Sequence, residues 1–161
     1  MRRRMTAAAL ALGLSGFAIG VVAPVAQAAP APAFQIQSLH NGGCLTVDDA
    51  DNVRMTGCDP GGFNAHQMWK IDGEKIRSAL NGRCLDVKHG QVNGAVQATG
   101  ACHNHANQRW QWNGDIHANA FVRTLSTLQV MGIEDGGGGG GINMRDEVPG
   151  AAWQKWKQVV V

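Results

Sequence analysis

The chain has 161 residues, of which 44% are hydrophobic and 16% charged, and a formal net charge of +2. Arg2, Arg3 and Arg4 account for that surplus, because without residues 1–28 the formal charge is −1. Such a balance leaves no basic patch to draw nucleic acid or an anionic membrane, so neither is expected as a partner.

Residues 1–28 read as a cleaved export signal. Arg2-Arg3-Arg4 gives the positive start, Ala7 to Val25 is mostly small and apolar, and Ala26-Gln27-Ala28 fits the small-x-small cleavage rule. A membrane helix is the competing reading, but Pro24 and the many Ala and Gly residues favour a signal. The expectation is a secreted, extracellular protein with no span left after cleavage. Residues 29–33, containing Ala29-Pro30-Ala31-Pro32, form a short stiff leader. Residues 34–161 follow as one domain, long enough to bury roughly 68% of its unfolded surface.

From Phe34 onward the chain reads as short strands and turns, with no sustained helical periodicity. Phe34–Ser38, Cys44–Val47, Trp69–Ile71, Lys75–Ala79, Cys84–Val87, Val96–Thr99 and Lys155–Val160 are among about twelve predicted strands. Asn41-Gly42 and Asn81-Gly82 mark turns before two of them. Asp72-Gly73 and Asn113-Gly114 are each expected to close a type I′ hairpin.

A repeat organises these strands. Gln67-Met68-Trp69, Gln108-Arg109-Trp110 and Gln154-Lys155-Trp156 recur at intervals of 41 and 46 residues, a period that signals one supersecondary unit copied three times. Asn41-Gly42-Gly43-Cys44-Leu45-Thr46-Val47 returns as Asn81-Gly82-Arg83-Cys84-Leu85-Asp86-Val87. The units run from about 34 to 74, 75 to 115 and 116 to 161, with four strands each. Trp69, Trp110 and Trp156 are the natural core layer around a pseudo-threefold axis, each burying about 150–250 Å².

Four cysteines in an exported chain imply two disulfides. The repeat alignment favours Cys44–Cys58 and Cys84–Cys102 among three possible pairings, and each bridge would add on the order of 3 kcal/mol. The spacings lack the paired C-x₂₋₄-C of a zinc site. In the third unit Val148 falls where Cys102 stands and Leu128 where Cys84 stands, so both half-cystines are replaced by aliphatics. Gly136–Gly141 reads as a surface loop, since a phosphate cradle needs a helix N-terminus and usually a Lys-Ser/Thr partner that Ile142-Asn143-Met144 does not supply.

With its Cys-Leu-Asp-Val, second Cys and Ala-Asn-Gln-x-Trp, the chain resembles the ricin-B-type β-trefoil lectins and carbohydrate-binding modules over nearly all of residues 34–161. The resemblance implies an all-β trefoil of three four-stranded repeats. It also implies binding of galactose-type or xylan-like glycans, at most one per unit. A family pocket uses an Asp after the first Cys, a Gln or similar residue on the next strand, an aromatic platform before the second Cys, and an Asn-Gln pair before the Trp. A carboxylate accepts from neighbouring sugar hydroxyls, amides complete the hydrogen bonding, and a ring covers the apolar sugar face.

The second unit keeps Asp86, Gln97, Asn107 and Gln108 as carbohydrate-binding candidates. Its platform position falls at Gly100, where His103 or Trp112 are the possible substitutes. The first unit has Thr46, Arg54, Thr56 and His66 at the pocket positions and keeps only Gln67. The third has Val130 for Asp, Asp146 at the platform and Trp153 for Asn. Both are expected to be inactive toward the usual ligand.

Two rival readings follow. A sugar-inactive trefoil could bind a protein partner, as an inhibitor or toxin-associated subunit, through an exposed Trp153 beside Pro149 with Val130. A small hydrolase would need paired carboxyls across a cleft, yet Asp48-Asp49 with Asp51, and Glu134-Asp135, lie in turn-rich loops. His103 and His105, with His89 nearby, could ligate zinc or copper but read as solvated surface. The expectation is a non-enzyme with no catalytic residues, no metal and no cofactor.

Overall fold

The computed structural model describes residues 32–134 and 140–161. The proposed signal, most of the leader, Asp135 and Gly136–Gly139 lie outside these residues. Twelve strands run in order as β1 (Phe34–Ser38), β2 (Cys44–Val47), β3 (Val53–Thr56), β4 (Trp69–Asp72), β5 (Lys75–Ser78) and β6 (Cys84–Val87). They continue as β7 (Val96–Thr99), β8 (Trp110–Asp115), β9 (Asn119–Thr124), β10 (Val130–Ile133), β11 (Ile142–Arg145) and β12 (Trp156–Val160). The architecture is the expected all-β trefoil. Among the described residues no helix is long and apolar enough to cross a membrane.

Local sequence explains the strand faces. In β3, β7 and β11 apolar residues alternate with polar ones, so Val53 and Met55, Val96 and Ala98, and Ile142 and Met144 turn inward. The partner strands β2, β6 and β10 are buried along their whole length. Three hairpins result, β2–β3, β6–β7 and β10–β11, with matching registers: Thr46 faces Arg54, Asp86 faces Gln97, and Gly132 faces Asn143. Isolated bridges Asn52–Gln97, Ala95–Asn143 and Arg54–Gly141 tie the hairpins into a triangle.

The other six strands form a ring beneath the triangle. β1 pairs with β4 and β12, β12 with β9, β9 with β8, and β4 with β5. At the remaining joint the Trp110 amide donates to the Glu74 carbonyl, 2.7 Å away, just before β5. Trp69, Trp110 and Trp156 lie buried in one hydrophobic cluster inside this assembly. Their indole N–H groups donate to the carbonyls of Leu45, Leu85 and Met131 at 2.9–3.0 Å, so each large ring is buried without an orphaned donor.

Both disulfides pair as the repeat alignment favours, Cys44 with Cys58 and Cys84 with Cys102. The third unit corrects the alignment. Val130 faces Arg145 as Cys84 faces Thr99, so Val130 occupies the half-cystine position. Leu128 instead sits in the preceding turn, 61% exposed and at φ 61°. Gly132, not Val130, therefore stands where the second unit has Asp86.

The hairpin turns also differ from expectation. After Asp72 the two loop residues are Gly73 and Glu74, and only Gly73 has positive φ, the pattern of type II′ rather than I′. Asn113 and Gly114 remain in β8, and the chain turns later, through Ile116–Ala118 between Asp115 and Asn119. Gly114 is required there because a Cβ would lie 2.6 Å from the Asn119 carbonyl oxygen.

Candidate carbohydrate site

The second unit brings all four candidates together. Asp86, on the buried strand β6, is 4% exposed. Its Oδ1 accepts from Gln97 Nε2 at 3.2 Å, and its Oδ2 accepts from Asn107 Nδ2 at 2.8 Å and Gln108 Nε2 at 2.9 Å. A carboxylate offers about four acceptor sites, so three amides leave about one, on Oδ1, for a hydroxyl from outside. A cross-strand neighbour and a 3-10 turn over Ala106–Gln108 supply these donors.

Gln108 has a second task. It is fully buried, donates to the Ala101 carbonyl at 3.0 Å and accepts from the His103 amide at 2.8 Å. Gln67 makes the same clamp with the Gly57 carbonyl and the Asp59 amide, and Gln154 makes it with the Asp146 carbonyl and the Val148 amide. Pro149, in line with His103, has no N–H, so the amide of Val148 takes its place. The Gln of each Gln-x-Trp thus fixes the loop after the third strand of its unit, and in the second unit it also aims Asp86.

The possible platform substitutes are placed differently. Trp112 packs edge-on against Phe34 with ring centroids 6.5 Å apart, and its buried indole N–H has no hydrogen-bond partner among the described residues. It belongs to the ring of strands rather than to the Asp86 site. His103 lies close to the clamp, with Nε2 3.2 Å from Gln108 Nε2, and its ring lies against that of His105, tilted by 37° at a centroid distance of 4.3 Å. Among the described residues no three His, Cys, Asp or Glu side chains gather as a metal site.

In the first unit Thr46 replaces the carboxylate. Its hydroxyl is 2.6 Å from Thr56 Oγ1, which in turn accepts from Gln67 Nε2 at 2.8 Å. His66 stands in for Asn107 and keeps the same partner, with Nδ1 2.8 Å from the Val47 carbonyl where Asn107 reaches that of Val87 at 3.3 Å. The recess is open, about 450 Å³, and is lined by Thr46, Asp48, Asp49, Arg54 and His66 among others. Asp48 is committed to its own loop, accepting from the amides of Ala50 and Asn52 and from Asn52 Nδ2. The side chain and then the backbone amide of Asn52 hold its carboxyl below the usual carboxylate range.

In the third unit an indole takes up the corresponding space. The Trp153 ring lies over Gly132, where a Cβ would come within 2.7 Å of it. Trp153 is half-buried in this position rather than an exposed interface anchor. Gly132 and Trp153 are a matched pair, the lost acid making room for the indole. The space conflict at Gly132 could not be read from the sequence without the correct register.

Comparisons agree with this fold. Solved structures with similar folds include the designed threefold-symmetric protein ThreeFoil, at TM-score 0.70 and 17% identity, over 80% of this chain and 99% of that one. The C-half of the earthworm R-type lectin, solved in complex with GalNAc, matches at TM-score 0.66 and 22% identity, over 81% and 99%. An exo-β-1,3-galactanase from Clostridium thermocellum matches at TM-score 0.68 and 22% identity, over 81% of this chain and 30% of that enzyme. No curated protein matches the sequence. The family model of the ricin-type beta-trefoil lectin domain covers residues 32–156, and the chain belongs to that family.

Proposed function

We propose that the chain is an exported carbohydrate-binding protein that holds a galactose-type or xylan-like glycan through its second repeat. The observation that carries this reading is the Asp86 carboxylate, held by three amide donors in the one unit that retains the acid. Oδ1 accepts from a sugar hydroxyl, while Asn107 and Gln97, both partly exposed at the rim, meet neighbouring hydroxyls. Gln108 acts from beneath by orienting Asp86. The earthworm relative's complex with GalNAc supports a sugar as the ligand class.

Without an aromatic platform at Gly100 the site should bind single sugars weakly. A millimolar Kd corresponds to about −4 kcal/mol. Useful retention then depends on a polymer that presents many copies of the sugar. The test is a two-dimensional NMR titration of labelled residues 29–161 with galactose, lactose and xylo-oligosaccharides. Saturable shifts confined to Asp86, Gln97 and Asn107, and lost in Asp86→Asn, are the expected result. A well-folded protein whose spectrum stays unchanged with every sugar overturns the reading.

A further inference from the structure

Where the three hairpins meet, a cleft of about 320 Å³ is lined by residues of all three repeats. It therefore lies at the pseudo-threefold axis, apart from the Asp86 carboxylate. Equivalent positions on β3, β7 and β11 bring Arg54, Gln97 and Asn143 to it, and Asn52, Lys88 and Glu134 complete its polar lining.

The cations of this cleft are loosely held. The Arg54 side chain is 53% exposed, and its nearest carboxylate oxygen, on Asp48, is 3.8 Å away. That is beyond hydrogen-bond distance, and the Asp48 carboxyl is already filled by amide donors. Lys88 is exposed and has no ion-pair partner among the described residues. Glu134, the one acid among the described lining residues, has Oε1 3.9 Å from Arg145 and Oε2 beside Gly141, where a Cβ would come within 3.3 Å of it. Gln97 links the two places, since it lines the cleft and donates to Asp86 Oδ1 at 3.2 Å.

We propose that the axial cleft receives the carboxylate of an acidic sugar belonging to the same glycan chain that Asp86 holds. Arg54 and Lys88 supply the positive charge, and the amide of Asn143 meets a flanking hydroxyl. The proposal rests on the carbohydrate reading and adds to it the class of glycan, an oligosaccharide with a neutral residue at Asp86 and a uronate nearby. A uronate at Asp86 itself would face the buried carboxylate and be repelled.

The experiment compares two probes that differ in one carboxylate: xylotriose, and xylotriose bearing a single glucuronate. Each is titrated into labelled residues 29–161, their Arg54→Gln variant and their Lys88→Gln variant, at low and high NaCl. Exposed ion pairs contribute little each, so the acidic probe should bind roughly two- to fivefold tighter per cation engaged. The expected result is that preference, with shifts at Arg54, Lys88 and Asn143, reduced by either substitution and by salt. Equal binding of both probes at Asp86, or a preference that survives both substitutions, overturns the proposal and leaves the carbohydrate reading standing. Silence with both probes while galactose or lactose still shifts Asp86 overturns the proposal alone, and silence with every sugar overturns the two together.

Discussion

Replacing Asp86 with alanine tests whether the site is pre-built. The substitution strands three amide donors, but not equally. Gln108 Nε2 keeps the Ala101 carbonyl at 3.0 Å, and Asn107 Nδ2 keeps that of Val87 at 3.3 Å. Gln97 is half-exposed and can turn to water. A hydrogen bond to a charged group contributes roughly 1.5–3 kcal/mol, so losing the two less accessible ones costs about 3–6 kcal/mol before relief. Removing the desolvated charge and retaining the second acceptors offset part of this, leaving about 2–3 kcal/mol. For a domain of this size that lowers Tm by roughly 6–15 °C, measurable by circular dichroism on residues 29–161 under non-reducing conditions. Asp86→Asn, which keeps the volume and an acceptor oxygen, should lose less stability yet still lose sugar binding. A fall of under about 2 °C for Asp86→Ala would refute the reasoning, because a network that adds no stability cannot be what holds the carboxylate in place.

Four further outcomes are expected. Removing either disulfide as a Ser pair should cost about 3 kcal/mol in urea unfolding, and the two losses should agree within about 0.3 kcal/mol because the closed loops are similar in length. Gly132→Ala should cost about 1–3 kcal/mol by driving Trp153 off its seat, and Gly132→Ala with Trp153→Ala should recover part of it in a double-mutant cycle. Gln154→Ala should destabilise by about 1–3 kcal/mol although its repeat has lost the acid, because the clamp amide and carbonyl are left unpaired. In Asn52→Ala the Asp48 pKa should rise toward the ordinary aspartate value in an NMR pH titration. Because the folded pKa is depressed, the stabilisation is present above the ordinary value and lost as pH falls through the folded one. The stability gap between wild type and Asn52→Ala should therefore be full at pH 6 and close in acid.

Much of this fold was legible because the repeated signals are the ones that packing enforces. A Trp that must fill the core and bond a carbonyl, and a Gln that must clamp a loop, cannot drift in any copy. Cysteines vanish as a pair for the same reason. The strands β1, β2, β6 and β7 match their sequence-based limits, and the four polar candidates do converge on one place. What was not legible depends on register and on contacts between repeats. Asn113-Gly114 has the composition of a turn, yet the opposing strand extends past it, and Gly114 serves close backbone approach instead. The axial cleft is assembled from single residues of three hairpins, so no segment contains its pattern.

The third repeat shows how one misplaced residue changes a functional argument. The offset of 46 residues that relates Val96 to Ile142 also relates Cys84 to Val130 and Asp86 to Gly132. In the sequence the glycine run therefore aligns with Gly90–Ala95, and no gap is needed from Phe121 to Gln154. With Val130 read as the acid's replacement, an apolar pocket and an exposed Trp153 suggested a protein interface. With Gly132 there, the same indole becomes a plug, because only a residue lacking Cβ leaves room for the ring. The loss of the acid and the gain of the indole are then one event in packing, and the third site is closed by volume rather than converted to a new surface. The first site took the other course: Thr46 and Thr56 satisfy each other and leave the recess open. Its Arg54 lines both that recess and the axial cleft. The first and second copies thus place Arg54 and Lys88 in the cleft beside the one copy that kept its acid, the arrangement on which the proposed acidic oligosaccharide depends.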